Sequence, residues 1–263
     1  MWNASRFCVS SLRRGHANLL CIVPILGKAA GSASWCTNVG NERGEIVISV
    51  LTTSESLTNL KPLANGLVER YSKANQPHPS VLYTDRDCCK VDGDSKYRRL
   101  FPQWENLLVR MDSWHFMRRI AKACSNESHP LYASAIFEWD LGDVATLRTA
   151  KEGELKKAGV SKPSTAAVNK AITKFELARH CRRRTRGEQE TIRLIESLFL
   201  NAEYLTDFLG TPLLKEDAFE IWQEEQCHVK CLQDPVNVML YTQTGTISKG
   251  GTSANDVHFQ AYY

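Results

Sequence analysis

The stretch that decides the fold reads "VLYTDRDCCKVDGDSKYRRLFPQWENLLVRMDSWHFMRRIAKAC" and occupies residues 81–124. Four residues that suit a strand lead into Asp85 and Asp87, and a short helical segment follows. A second strand ends in Asp112, and another helix opens directly after it. This alternation predicts an α/β sheet with carboxylates at the ends of two of its strands.

The residues before this stretch predict the rest of the sheet. "ASWCTNVG" and "EIVISVLTT" are β-rich runs joined by "NERG", which suits a hairpin turn. The segment "SLTNLKPLANGLVERYSKAN" places apolar residues at helical spacing, with Pro62 near the helix start. Antiparallel strands followed by strands separated by helices indicate a mixed α/β sheet.

Beyond residue 126 no segment has the sequence pattern of a strand, and five successive segments have the pattern of helices. The tail is rich in Gly, Ser and Thr and ends on aromatic residues. The predicted organisation is an irregular basic N-terminus at 1–27, an α/β core at 28–125, a helical insertion at 126–232 and a residual C-terminal tail at 233–263.

Composition excludes some classes of protein. The longest apolar run, "LLCIVPIL", is too short to span a bilayer and contains Pro24, so we expect no membrane partner. Nine cysteines in no pairing pattern fit a reducing compartment. Residues 1–41 contain no Asp or Glu but several Arg, a composition typical of mitochondrial transit peptides or of an irregular basic segment.

The run "VLYTDRDCC" followed by "LFPQWENLLVRMDSWHFMRR" resembles the central part of the transposases of Mutator-like elements and of transposon-derived proteins abundant in fish genomes. The likeness covers roughly Lys28 to the C-terminus. It implies a partial ribonuclease H-like mixed sheet followed by a mostly α-helical insertion domain. It also implies a nuclear location, whereas the N-terminal composition suggests mitochondria.

The resemblance implies a site of three acids that hold two divalent ions for phosphodiester chemistry. Asp85 matches the second acid and is the metal candidate, with Asp87 close behind it and Asp112 on the neighbouring strand. The first acid is expected near "LLCIVPILGK", which contains none. The third is expected between "YTQTGTISKGG" and "TSANDVHFQAY", which are joined directly here, so the chain is expected to be truncated. No cofactor is expected, or Mg²⁺ or Mn²⁺ if the protein is catalytic.

These residues also have simpler interpretations. Asp85 and Asp87 could cap the helix in "DSKYRRL" or face water. The "CHVKC" segment at 227–231, with His180 and Cys181, matches no standard zinc spacing. A stripe at helical spacing predicts core packing, and it consists of Trp114, Met117, Ala121 and Cys124.

A basic run, "RHCRRRTR", occupies residues 179–186 and is predicted to lie at the end of one helix. Its guanidinium groups could bind DNA phosphates. Alternatively, they could form a solvated face paired with Glu188 and Glu190. The candidate nucleic-acid-binding residues are Arg179, Arg182, Arg183, Arg184 and Arg186.

Three functions stay open at this point. The first is a degenerate transposase-derived protein that is catalytically inactive and binds DNA without sequence preference. The second is an active metal-dependent nuclease or transposase in which unrecognised acids complete the site. The third is a domesticated protein-interaction module, whose protein partners the residues do not identify.

Overall fold

The computed structural model describes residues 6–13, 35–41, 45–54, 56–85, 88, 95–125, 131–247 and 256–261. The chain forms two compact units. Unit 1 comprises Met1–His129 and Glu196–Val238, and unit 2 comprises Pro130–Ile195 and Met239–Tyr262. The first segment of unit 2 is therefore inserted between these two segments of unit 1, and its second segment follows them in the chain.

The strands are β1 (Arg6–Arg13), β2 (Trp35–Gly40), β3 (Ile46–Thr52), β4 (Val81–Thr84), β5 (Leu108–Met111), β6 (Phe137–Trp139), β7 (Arg183–Thr185), β8 (Tyr241–Ile247) and β9 (Asp256–Ala261). The helices are α1 (Leu57–Lys73), α2 (Lys96–Leu100), α3 (Ser113–Ala121), α4 (Leu131–Ile136), α5 (Leu141–Lys157), α6 (Thr165–Ala171), α7 (Lys174–His180), α8 (Glu188–Ala202), α9 (Ala218–Gln226) and α10 (Val229–Leu232). The predicted mixed α/β class is confirmed.

Unit 1 contains a five-stranded sheet in the order β3-β2-β1-β4-β5. The first three strands pair antiparallel, while β4 pairs parallel to both β1 and β5. The predicted strand, helix, strand and helix of residues 81–124 are confirmed as β4, α2, β5 and α3. Strand β4 lies inside the sheet, with β1 on one side and β5 on the other.

Helix α1 covers the sheet because its apolar residues repeat at helical spacing. Ser56 caps its first turn by accepting from the Asn59 N–H at 3.3 Å. Leu60, Leu63 and Leu67 are buried in a core shared with α2 and the strands. The helix predicted from this spacing is therefore found where expected.

The N-terminal segment differs from the prediction. Residues 1–27 were expected to be irregular, yet Arg6–Arg13 form β1 between β2 and β4. The predicted core of residues 28–125 thus lacked its central strand. Strand β1 pairs with residues 22 or more positions further along the chain, and such long-range pairing leaves no local pattern in the sequence.

The second segment of unit 1 adds helices to the sheet. Phe199 of α8 packs against Phe219 and Trp222 of α9, with ring centroids 5.8 and 6.1 Å apart. Helix α9 contacts α3, and α10 contacts β5. Helices α9 and α10 and the second half of α8 were predicted as part of the insertion, but they belong to the unit that contains the sheet.

Unit 2 is mostly helical, as expected, but it also contains strands. β6 and β7 pair antiparallel within the segment predicted to lack strands, and β8 pairs antiparallel with β9 within the predicted residual tail. A small core of Val144, Leu147 and Cys181 lies beneath α5. The predicted single helix of residues 162–184 is divided into α6, α7 and β7.

Among the residues that the structure describes, none of the helices combines the length and the apolar character needed to cross a membrane.

Candidate functional site

Asp85 and Asp112 lie at the same edge of the unit 1 sheet. Strands β4 and β5 are parallel with Thr84 opposite Met111, and the Asp112 N–H donates to the Thr84 carbonyl at 2.9 Å. Each aspartate is the residue that directly follows its strand. The predicted adjacency of the two strand ends is confirmed, while Asp87 lies outside the described residues.

Asp112 caps the first turn of α3, the helix that follows it. Its Oδ1 accepts from the His115 N–H at 2.9 Å and lies 2.9 Å from His115 Nδ1. Burial alone would raise the pKa of Asp112, but the hydrogen bonds and the charge of His115 outweigh burial and lower it. His115 therefore contacts a carboxylate through both its backbone N–H and its ring.

Asp85 lies in a less polar environment, surrounded by cations. Burial raises the pKa of its carboxyl group, although the charges of His115, Arg119 and Lys96 oppose this shift. The Arg119 guanidinium also donates to the Asp85 backbone carbonyl. Arg119 and Lys96 thus place positive charge near Asp85.

Glu225 is the acid that sequence reasoning missed at this edge. It lies on α9, and its Oε2 is 3.4 Å from Nη1 of Arg119. Arg119 therefore connects Glu225 to the end of β4. The signal that could have identified Glu225 is weak, because it follows Arg119 by 106 residues.

A cysteine and a histidine meet beside this edge. Cys88 Sγ lies 3.5 Å from His228 Nδ1, and burial lowers the pKa of His228. Cys231 is disulfide-bonded, whereas Cys36, Cys88, Cys124, Cys181 and Cys227 are reduced thiols. Cys181 instead belongs to the core of unit 2, so the zinc site considered from sequence does not form.

The register of β1 and β4 shows which residue of β1 lies beside Asp85. Val9 of β1 is paired with Thr84, so Ser10 occupies the backbone position next to that of Asp85. The segment at 19–28, where the resemblance placed this acid, lies outside the described residues.

Within the described part of the chain, no three His, Cys, Asp or Glu residues form a group that could hold a metal ion. The two-ion site that the resemblance implies therefore does not fit these residues. Asp85 does not cap the next helix either, because Ser95 caps α2 by accepting from the N–H groups of Tyr97 and Arg98 at 3.1 and 3.4 Å.

The core packing predicted for Trp114, Met117, Ala121 and Cys124 is only partly correct. Ala121 and Cys124 are buried and Met117 is half-buried, but the Trp114 side chain is 54% exposed. The error arises because Trp114 lies in the first turn of the helix, where the stripe leaves the core. Arg118 lies over the Trp114 ring, with Cζ 5.4 Å from the ring centroid.

The arginine run does not lie at the end of one helix as predicted. Arg179 is in the last turn of α7, but Arg183 and Arg184 belong to β7. The chain bends between α7 and β7 because β7 pairs with β6, which sequence periodicity did not predict. The run is therefore presented by a small antiparallel sheet in unit 2.

Acids other than the predicted ones bind these arginines. Arg182 donates to both carboxylate oxygens of Asp143 at 2.8 and 2.9 Å, and Arg184 lies 2.6 Å from Asp140. Arg186 donates to Glu138 at 3.0 Å. The predicted partners do not take part in these pairs.

Arg183 is placed differently from its neighbours. Its Cζ lies 4.4 Å from the centroid of the Trp139 ring, and its N–H donates to the Tyr241 hydroxyl at 2.8 Å. A stacked guanidinium keeps its hydrogen-bond donors at its edge. The Arg183 guanidinium is therefore held against the Trp139 ring, whereas Arg182, Arg184 and Arg186 are held in ion pairs.

No protein-family model matches the chain, and no curated protein matches it either.

Proposed function

We propose that the chain is a transposase-derived, nucleic-acid-binding protein with a ribonuclease H-like core and without metal-dependent strand cleavage. The observation that carries this proposal is the unit 1 sheet. Three antiparallel strands continue into two parallel strands, with Asp85 and Asp112 at adjacent ends. A mixed sheet with Asp85 at the end of β4 agrees with what the resemblance to Mutator-like transposases implies, and Asp112 adds a second acid at the neighbouring strand end.

The absence of cleavage is proposed on physical grounds. Two divalent ions need several carboxylate ligands that converge from different elements. Among the described residues of the edge, Ser10 stands beside Asp85, and Arg119 and Lys96 already place positive charge near Asp85. A further cation would have to compete with these groups.

Nucleic-acid binding does not require the missing ligands. Phosphate contacts depend on cationic side chains and on backbone N–H groups, and they give affinity without sequence preference. Unit 1 presents Lys96, Arg118 and Arg119 around the carboxylate edge. These residues favour binding over an interaction module with no affinity for nucleic acid.

The proposal is tested by incubating the purified chain with labelled single-stranded and duplex DNA in Mg²⁺ or Mn²⁺. We expect binding but no cleavage. Cleavage that is lost in Asp85→Ala and kept in Asp217→Ala would overturn the proposal. Asp217 is a suitable control because it stands at the start of α9 and makes no side-chain capping bond.

One observation favours the active nuclease as a second candidate. Glu225 follows residues 130–195 of unit 2 in the chain and reaches the edge through Arg119, although the resemblance placed the third acid further along, beyond residue 241. If the nuclease exists, Glu225→Gln should abolish metal-dependent cleavage as completely as Asp85→Ala. On our proposal neither substitution changes the products, because there is no cleavage to lose.

A further inference from the structure

Helix α3 presents one face to solvent beside the carboxylate edge. Its exposed positions are Trp114, Arg118 and Lys122, which follow one another at intervals of four residues. Four residues advance an α-helix by about 6 Å, so the three side chains form a row along one side. We call this row the α3 stripe.

Trp114 stands at the end of the α3 stripe nearest the aspartates. It is the second residue of the helix that Asp112 caps, and its own N–H contributes to the low pKa of Asp112. Its ring meets the His115 ring edge-on, with centroids 4.8 Å apart. The indole is therefore held at the rim of the candidate site while about half of its surface faces water.

The remainder of the α3 stripe is basic. Arg118 covers one face of the indole through a cation–π contact, and Lys122 lies one turn further along. An exposed aromatic ring next to cations is the combination that binds single strands, because bases stack on the ring while the backbone follows the charges. Solubility alone does not require an exposed tryptophan.

We propose that the α3 stripe binds a DNA strand containing unpaired bases, with one base stacked on Trp114 and the following phosphates at Arg118 and Lys122. Base faces inside a duplex are covered by neighbouring bases, so this site selects an unpaired region over an intact duplex. This inference rests on the proposed function, and it names the form of nucleic acid that the site takes.

The test measures the affinity of the full chain for a labelled oligothymidine and for a duplex by fluorescence anisotropy. Trp114→Ala should weaken binding of the single strand by about 5- to 100-fold, as the loss of one stacked base does. Binding of the duplex should change much less. Trp114→Phe keeps a smaller ring, so its affinity for the single strand should lie between those of wild type and Trp114→Ala. Arg118→Ala should weaken binding and also reduce its salt dependence.

Phe208→Ala is the matched control, because Phe208 is an exposed aromatic residue of the same unit and lies far along the chain from α3. Circular dichroism should show each variant folded, since the substituted side chains are exposed. If wild type binds the single strand and Trp114→Ala binds it equally well, the binding role proposed for the α3 stripe is refuted while the proposed function stands. If wild type binds neither probe, both are overturned.

Discussion

Replacing Arg182 by Ala should destabilise unit 2, because Arg182 is held by a two-pronged ion pair. Its Nε and Nη2 atoms lie 2.8 and 2.9 Å from the two oxygens of Asp143. The Asp143 side chain is only 11% exposed, and that of Arg182 is 37% exposed. The pair is thus intermediate between a solvated surface pair and a buried one.

The magnitude follows from these contacts. Hydrogen bonds to charged groups contribute about 1.5–3 kcal/mol, and we expect a loss in that range. The loss stays below that of a fully buried pair because the backbone N–H of residue 182 still donates to Asp143 at 2.9 Å. Arg182→Lys keeps the charge but loses the fork geometry, so its effect should be smaller.

Amide hydrogen exchange measured by mass spectrometry tests this prediction within unit 2. Peptides from α5 and α7 should exchange about 10- to 100-fold faster in Arg182→Ala, while peptides from α1 stay unchanged. Arg193→Ala is the control, because Arg193 pairs with Glu190 on an exposed helix surface. Equal exchange in the two variants would refute the structural role that we assign to Arg182.

Three further predictions follow from the same contacts. The pKa of Glu176 is lowered from 4.5 to about 2 by hydrogen bonds from Lys151 and Thr173, against the opposing effect of burial, so its contribution to stability is present above pH 4.5 and is lost as the pH falls toward 2. In acid titrations followed by circular dichroism, Glu176→Gln should lower the free energy of unfolding at pH 7 by on the order of 2–3 kcal/mol, and by much less near pH 2. An equal loss at both pH values would contradict the lowered pKa of Glu176. Asp85→Asn should raise stability at pH 7, because burial raises the pKa of Asp85 and disfavours its charged form, and a lower urea midpoint would count against that explanation. If Arg183 contacts one phosphate, Arg183→Ala should reduce the slope of log affinity against log salt concentration for duplex binding by about one. An unchanged slope would mean that Arg183 only stacks on the Trp139 ring.

The sequence predicted those elements whose signals are local. β4, α2, β5 and α3 were identified because apolar periodicity and flanking polar residues mark each of them within a few positions. The placement of Asp85 beside Asp112 followed from this order, because parallel strands end at the same edge. The chemistry of the individual side chains, such as the capping role of Asp112, did not follow from periodicity.

Features that depend on distant residues were missed. β1 and β7 are recognisable only from their partners, and the arginines of β7 have helix propensity as good as that of most residues. Glu225 reaches Arg119 across 106 positions, and no pattern in the sequence connects them. The exposure of Trp114 was also missed, since a periodic stripe does not reveal where a helix leaves the core.

The central claim, that this chain binds nucleic acid without divalent ions, is tested most directly by one titration. A short labelled DNA duplex is titrated with the purified chain in EDTA at several salt concentrations, and binding is followed by fluorescence anisotropy. We expect a Kd of about 10⁻⁴ to 10⁻⁶ M at physiological salt, with affinity falling steeply as salt rises because counterions are released. No binding at the lowest salt concentration, or binding that does not depend on salt, would contradict the claim.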